Sequence, residues 1–95
     1  MEIRGLVWRS GNVAKLAAHG ISQREVREIV AVDRWVTTVH PDYPDQVRII
    51  GPTRAGRLLT IAMEATDDPV VWRPVTGWPS TDEEIAYHSE ETGWM

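Results

Sequence analysis

"QVRIIGPTRAGRLLTIAMEA", residues 46–65, holds two runs of β-branched and long aliphatic side chains separated by Pro52-Thr53-Arg54-Ala55-Gly56. This punctuation reads as strand, turn, strand. In the first run, alternation puts Val47 and Ile49 on one face and Arg48 and Ile50 on the other. Upstream, "RWVTTVH" (34–40) is another β-branched and aromatic run, and "PDYPD" (41–45), with two prolines and two aspartates, is expected to be a loop. Downstream, "TDDP" turns the chain and "VVWRPV" (70–75) is a fourth strand, in which Val71 and Arg73 share a face opposite Trp72. Four strands joined by short loops predict an antiparallel meander whose neighbours pair in chain order.

Helical signals flank the strands. In "SQREVREIVAV" (22–32), Ser22 caps and Glu25 completes a capping box; Ile21 staples onto Val26, and Val26, Ile29 and Val30 form the apolar stripe. "GNVAKLAAHG" (11–20) is a short helix closed by Gly20, with His19 in its last turn. After the fourth strand and a turn, "STDEEIAYHSEE" (80–91) is a helix capped by Thr81, with Glu84 completing a second box. The opening "EIRGLVW" is short and mixed, at most a weak strand. The fold expected is therefore α+β: two N-terminal helices, a four-stranded antiparallel β-meander and a C-terminal helix. Ninety-five residues allow one domain, 1–95.

Composition narrows the chemistry. The hydrophobic share, 42%, fits a folded chain, and five Trp with no Phe make indole rings a large part of its bulk. Cysteine is absent, which removes thiolate nucleophiles and cysteine-based zinc sites. No apolar run approaches the ~20 residues of a membrane span. The start lacks a signal-peptide pattern, so a cytoplasmic protein without membrane association is expected. The net charge of −4 hides an asymmetry: residues 1–60 sum to +3 and residues 61–95 to −7. A basic first part attracts polyanions, whereas an acidic second part repels them unless it folds away.

No phosphate loop, dinucleotide fingerprint or nucleophile elbow is present, and no cofactor is expected. His19, His40 and His88 lie in different elements without metal-ligand spacing, and each reads as a surface or cap residue. The arginines are more informative. Arg48, Arg57 and Arg73 fall on consecutive strands, so their guanidinium groups converge on one face if the register allows. Such a cluster would hold a phosphate through paired N–H donors and stabilise charge on a pentavalent phosphorus. The competing use of strand arginines is cross-strand ion pairing.

The order of segments resembles BrnT-type toxins. "KLAAHGIS" with its surroundings (Trp8, Asn12, Lys15, Leu16, His19, Gly20, Ile21, Ser22, Glu25) is similar to their N-terminal helices. "RIIGPTRAGRLLTIA" (Arg48, Gly51, Thr53, Gly56, Arg57, Leu58, Leu59) looks like their central hairpin. "WRPVTGWPSTDEEIAY" (Arg73, Thr76, Thr81, Glu84, Tyr87) is similar to their last strand and helix. The resemblance implies a RelE-like fold and a metal-independent ribonuclease toxin of a bacterial type II toxin–antitoxin pair. RNA and a cognate DNA-binding antitoxin are the implied partners, with a homodimer left open. The implied site residues are Arg48, Arg57 and Arg73, with His19 holding the turn between the first two helices. The chain departs from that pattern after Arg73: closely spaced arginines and a basic final helix are replaced by "PVTGW" and an acidic helix start. This departure implies weaker RNA binding and raises an alternative, a catalytically inactive toxin-like module that binds protein through Trp35, Trp78 and Trp94.

Overall fold

The computed structural model describes residues 1–40 and 42–93. The elements run β1 (Gly5–Leu6), α1 (Ser10–Ala18), α2 (Gln23–Val32), β2 (Val36–His40), β3 (Tyr43–Pro52), β4 (Leu58–Ala65), β5 (Val71–Pro79) and α3 (Asp82–Thr92). The result is an α+β fold in which the five strands form one sheet in the order β1-β5-β4-β3-β2.

The β2–β5 meander is antiparallel throughout, as its short loops require. The four-stranded expectation needs one correction, because β1 adds a fifth strand parallel to β5 and makes the sheet mixed. Val7 N–H donates to the Trp72 carbonyl at 3.0 Å and Arg4 N–H to the Val70 carbonyl at 2.7 Å. Two paired residues are too few to show a period of two, which is why this strand is invisible in sequence. The chain then crosses through α1 and α2 to reach the opposite edge.

Two further differences concern strand length. Tyr43, Pro44 and Asp45 belong to β3 and not to a loop, although the ladder to β4 begins only at Gln46. Pro44 therefore lies where no donor to β4 is needed. Pro41, from the same expected loop, lies outside the described residues. Strand β5 runs on through Gly77 to Pro79, where a turn was expected. A Cβ on Gly77 would lie 2.8 Å from Ile61 Cδ1, 2.8 Å from the Thr60 carbonyl oxygen and 3.1 Å from Leu16 Cδ2. The glycine thus permits close approach of α1 to the sheet.

The helix ends follow their local signals. Gly20, at φ +74°, ends α1. Its N–H donates to the Ala17 carbonyl and that of Ile21 to the Leu16 carbonyl, a double closure that brings two buried aliphatic residues together. Ser22 and Glu25 exchange both capping-box bonds, as do Thr81 and Glu84. The core lies between the α1/α2 layer and one sheet face: Leu16, Ile21, Val26 and Ile29 meet Ile49, Leu59, Ile61 and Met63. Trp8, Trp35 and Trp72 flank it.

Helix α3 packs on the second face. Trp78, whose side chain alternates with Gly77, donates Nε1–H to Glu84 Oε1 at 3.0 Å. Thr60 and Ser80 share a hydroxyl hydrogen bond at 2.9 Å on the same side. His88 was expected at the surface; it is instead completely buried, with Nε2–H donating to the Arg34 carbonyl at 2.6 Å. The helix has little other apolar surface to bury: Ile85 and Tyr87 remain exposed. The imidazole consequently supplies both bulk and a fixed polar contact. Among the described residues no helix is long and apolar enough to cross a membrane.

Candidate functional site

The register decides which arginines meet. Arg48 is directly opposite Thr38 on β2 and Ala62 on β4, and Ala62 is opposite Thr76 on β5. Residues directly opposite one another share a face. Arg48, Thr38, Ala62 and Thr76 therefore form one row on the α3 side of the sheet. The neighbouring row is Gln46, Glu64 and Arg73.

Arg73 joins that face through an irregularity. Ala62 pairs with Thr76 but Met63 pairs with Pro74, so Val75 is an extra residue in β5. Without it, Arg73 and Thr76 would point to opposite faces. With it, Arg73 faces Glu64, and Pro74 turns into the core, where it is fully buried. A proline inside a central strand is the sequence signal of such a bulge.

Arg57 is elsewhere. It precedes β4 and has the same parity as Leu59 and Ile61, which puts it on the α1/α2 side. One of its terminal nitrogens, Nη1, donates to the Gly20 carbonyl and to Glu25 Oε2, each at 3.0 Å. Arg57 thus ties the β3–β4 turn to the α1–α2 junction, and of the three arginines only Arg48 and Arg73 share a sheet face. His19, at the exposed end of α1, lies in the same junction.

The remaining pair differ in their surroundings. Arg73 Nη1 lies 3.4 Å from Glu64 Oε2, longer than the ~2.7–2.9 Å of a tight charge-assisted bond. Arg48 has no ion pair among the described residues, and its Nε is buried without a hydrogen-bond partner among them. Its guanidinium carbon lies 5.0 Å from the centroid of the Trp78 ring. Such a contact is worth about 0.5–2 kcal/mol depending on desolvation. An unpaired buried donor costs about 1–3 kcal/mol, so the ring compensates the strand for this arginine only in part. The site offers a half-buried cation stacked on an indole, a second cation in a loose ion pair, the hydroxyls of Thr38 and Thr76, and one carboxylate.

The aromatic residues proposed as interface anchors divide in the same way. Trp35 closes one end of the core, against Gly51, and Trp78, opposite Thr60 in the row next to that of Arg48, lies under the Arg48 guanidinium. Trp94 lies outside the described residues. No family model and no curated protein matches the chain.

Proposed function

We propose that this chain is a RelE-like toxin of the BrnT type and that the second sheet face binds and cleaves single-stranded RNA, with Arg48 and Arg73 holding the phosphate. The observation that carries this reading is Arg48, a half-buried guanidinium with no protein anion among the described residues and an indole beneath it. This combination suits a nucleic acid, because the cation meets a phosphate and the ring edge offers a surface for a base. The sheet holds the site rigidly, with three strands of fixed register contributing to it. Arg57 is removed from the catalytic set: its role is to hold the turn.

The electrostatic asymmetry bears on affinity. Glu83 and Glu84 open α3 beside Trp78, and Glu64 lies within the site. RNA binding should therefore be weak and steeply salt-dependent. Expression of the protein without a neutralising partner tests the reading. Growth arrest accompanied by cleavage of cellular RNA, both relieved by Arg73→Ala, is the expected outcome. Intact RNA and normal growth at high expression would reject it.

A second reading, a module that binds another protein without cleaving RNA, is favoured by one observation. Val39 (65% exposed) and Tyr43 (54%) stand out at the β2–β3 hairpin, and the Tyr87 hydroxyl donates to the Thr37 carbonyl of the same edge strand. These exposed side chains lie along β2, the edge strand of the sheet. The same edge would serve the active toxin for binding its antitoxin.

A further inference from the structure

Cleavage through the neighbouring 2′-hydroxyl needs a group that accepts its proton, and two arginines do not supply one. The histidines are badly placed. His19 is at the exposed end of α1, the His40 Nδ1 accepts the Asp42 backbone N–H at 3.1 Å, and His88, on α3, is completely buried. Glu84 is committed through one oxygen to Trp78 and to the Thr81 backbone.

We propose that Glu64 is the general base of this face, an assignment that rests on the RNA-cleaving reading above. Glu64 lies on β4, the strand between the two that carry the arginines. Arg73 is directly across on β5, and Arg48 is one diagonal step away, since Arg48 pairs with Ala62 and Gln46 with Glu64. The carboxylate thus lies beside the Arg73 guanidinium, with that of Arg48 further along the same face over Trp78. Its side chain is 39% exposed. A substrate can reach it. The 3.4 Å contact to Arg73 is the only hydrogen bond Glu64 makes to a side chain among the described residues, so its oxygens retain free acceptor positions. Asp45 lies before the part of β3 that pairs with β4, outside the rows that carry the two arginines.

In this arrangement Arg73 exchanges the Glu64 carboxylate for a non-bridging phosphate oxygen, and Arg48 takes another. Glu64 accepts the 2′-hydroxyl proton as the 2′-oxygen forms its bond to phosphorus. The bond from phosphorus to the 5′-oxygen breaks, and the departing oxygen takes a proton from water. The products are a 2′,3′-cyclic phosphate and a free 5′-hydroxyl; no redox partner is required. The carboxylate also repels the phosphate before reaction, so its charge opposes binding while serving catalysis.

That opposition gives the test. Single-turnover cleavage of a single-stranded RNA oligonucleotide is measured for the wild type, Glu64→Gln and Asp45→Asn. Binding is measured in parallel with a 2′-deoxy version that cannot be cut. Glu64→Gln is expected to slow cleavage by roughly 100-fold or more while binding the deoxy oligonucleotide at least as tightly as the wild type. Asp45→Asn should cut normally, and formate should restore part of the rate of Glu64→Ala. Wild-type cleavage by Glu64→Gln, or loss of binding together with cleavage, overturns the role of Glu64 and leaves the nuclease reading standing. A wild type that binds RNA but never cuts it overturns both.

Discussion

Replacing Arg57 by alanine separates a structural cation from a functional one. In the fold its Nη1 donates at 3.0 Å to both the Gly20 carbonyl and Glu25 Oε2, across 37 and 32 residues of chain. The side chain is 41% exposed, so solvent screens the ion pair with Glu25, and that part is worth about 0.2–1 kcal/mol. The charge-assisted bond to the carbonyl adds about 1 kcal/mol after similar screening. A total near 1.5 kcal/mol corresponds to a fall in melting temperature of roughly 6–12 °C for a domain of this size. Differential scanning calorimetry in low salt measures it, and the gap to wild type should narrow in high salt, where the ion pair is screened. RNA affinity of the folded variant should fall no more than the loss of one remote charge demands. An unchanged melting temperature together with abolished RNA binding would refute the placement of Arg57 outside the site.

Other perturbations probe the same architecture. Gly77→Ala forces a methyl group to within 2.8 Å of Ile61 Cδ1 and of the Thr60 carbonyl oxygen. Because the carbonyl belongs to the paired backbone, a loss of about 1–3 kcal/mol is expected in urea denaturation, and an unshifted midpoint would contradict the tight α1–β5 contact. His88→Ala removes a completely buried ring and its bond to the Arg34 carbonyl. A loss of about 2–4 kcal/mol should follow, read by the same denaturation curves, and a neutral result would contradict a core role for the imidazole.

The features legible in the sequence are those with local causes. Ser22 and Glu25 announce a helix start because both capping bonds form within three residues, and Gly20 announces a helix end through its own backbone. The β2–β5 meander was legible because short loops leave antiparallel pairing as the available geometry. Strand β1 was not, since two residues gain their partners only when Val70 and Trp72 arrive from the far part of the chain. The site was legible in its residue types but not in its geometry. The position of Arg57 could have been read from the parity it shares with Leu59 and Ile61, both obvious core residues. Arg73 is harder: only the extra residue Val75, hinted at by Pro74, puts it beside Glu64. The burial of His88 had no local signal, because it depends on where α3 docks.

The second sheet face is tested most directly through the residue at its centre. Arg48→Ala removes both the contact with Trp78 and a buried unpaired nitrogen, effects of opposite sign whose balance leaves the fold at least as stable as the wild type. Titration of a fluorescent single-stranded RNA with the folded variant should then show affinity reduced roughly 10- to 100-fold, the loss of a charge-assisted phosphate contact. Undiminished RNA binding by a folded Arg48→Ala protein would contradict the account.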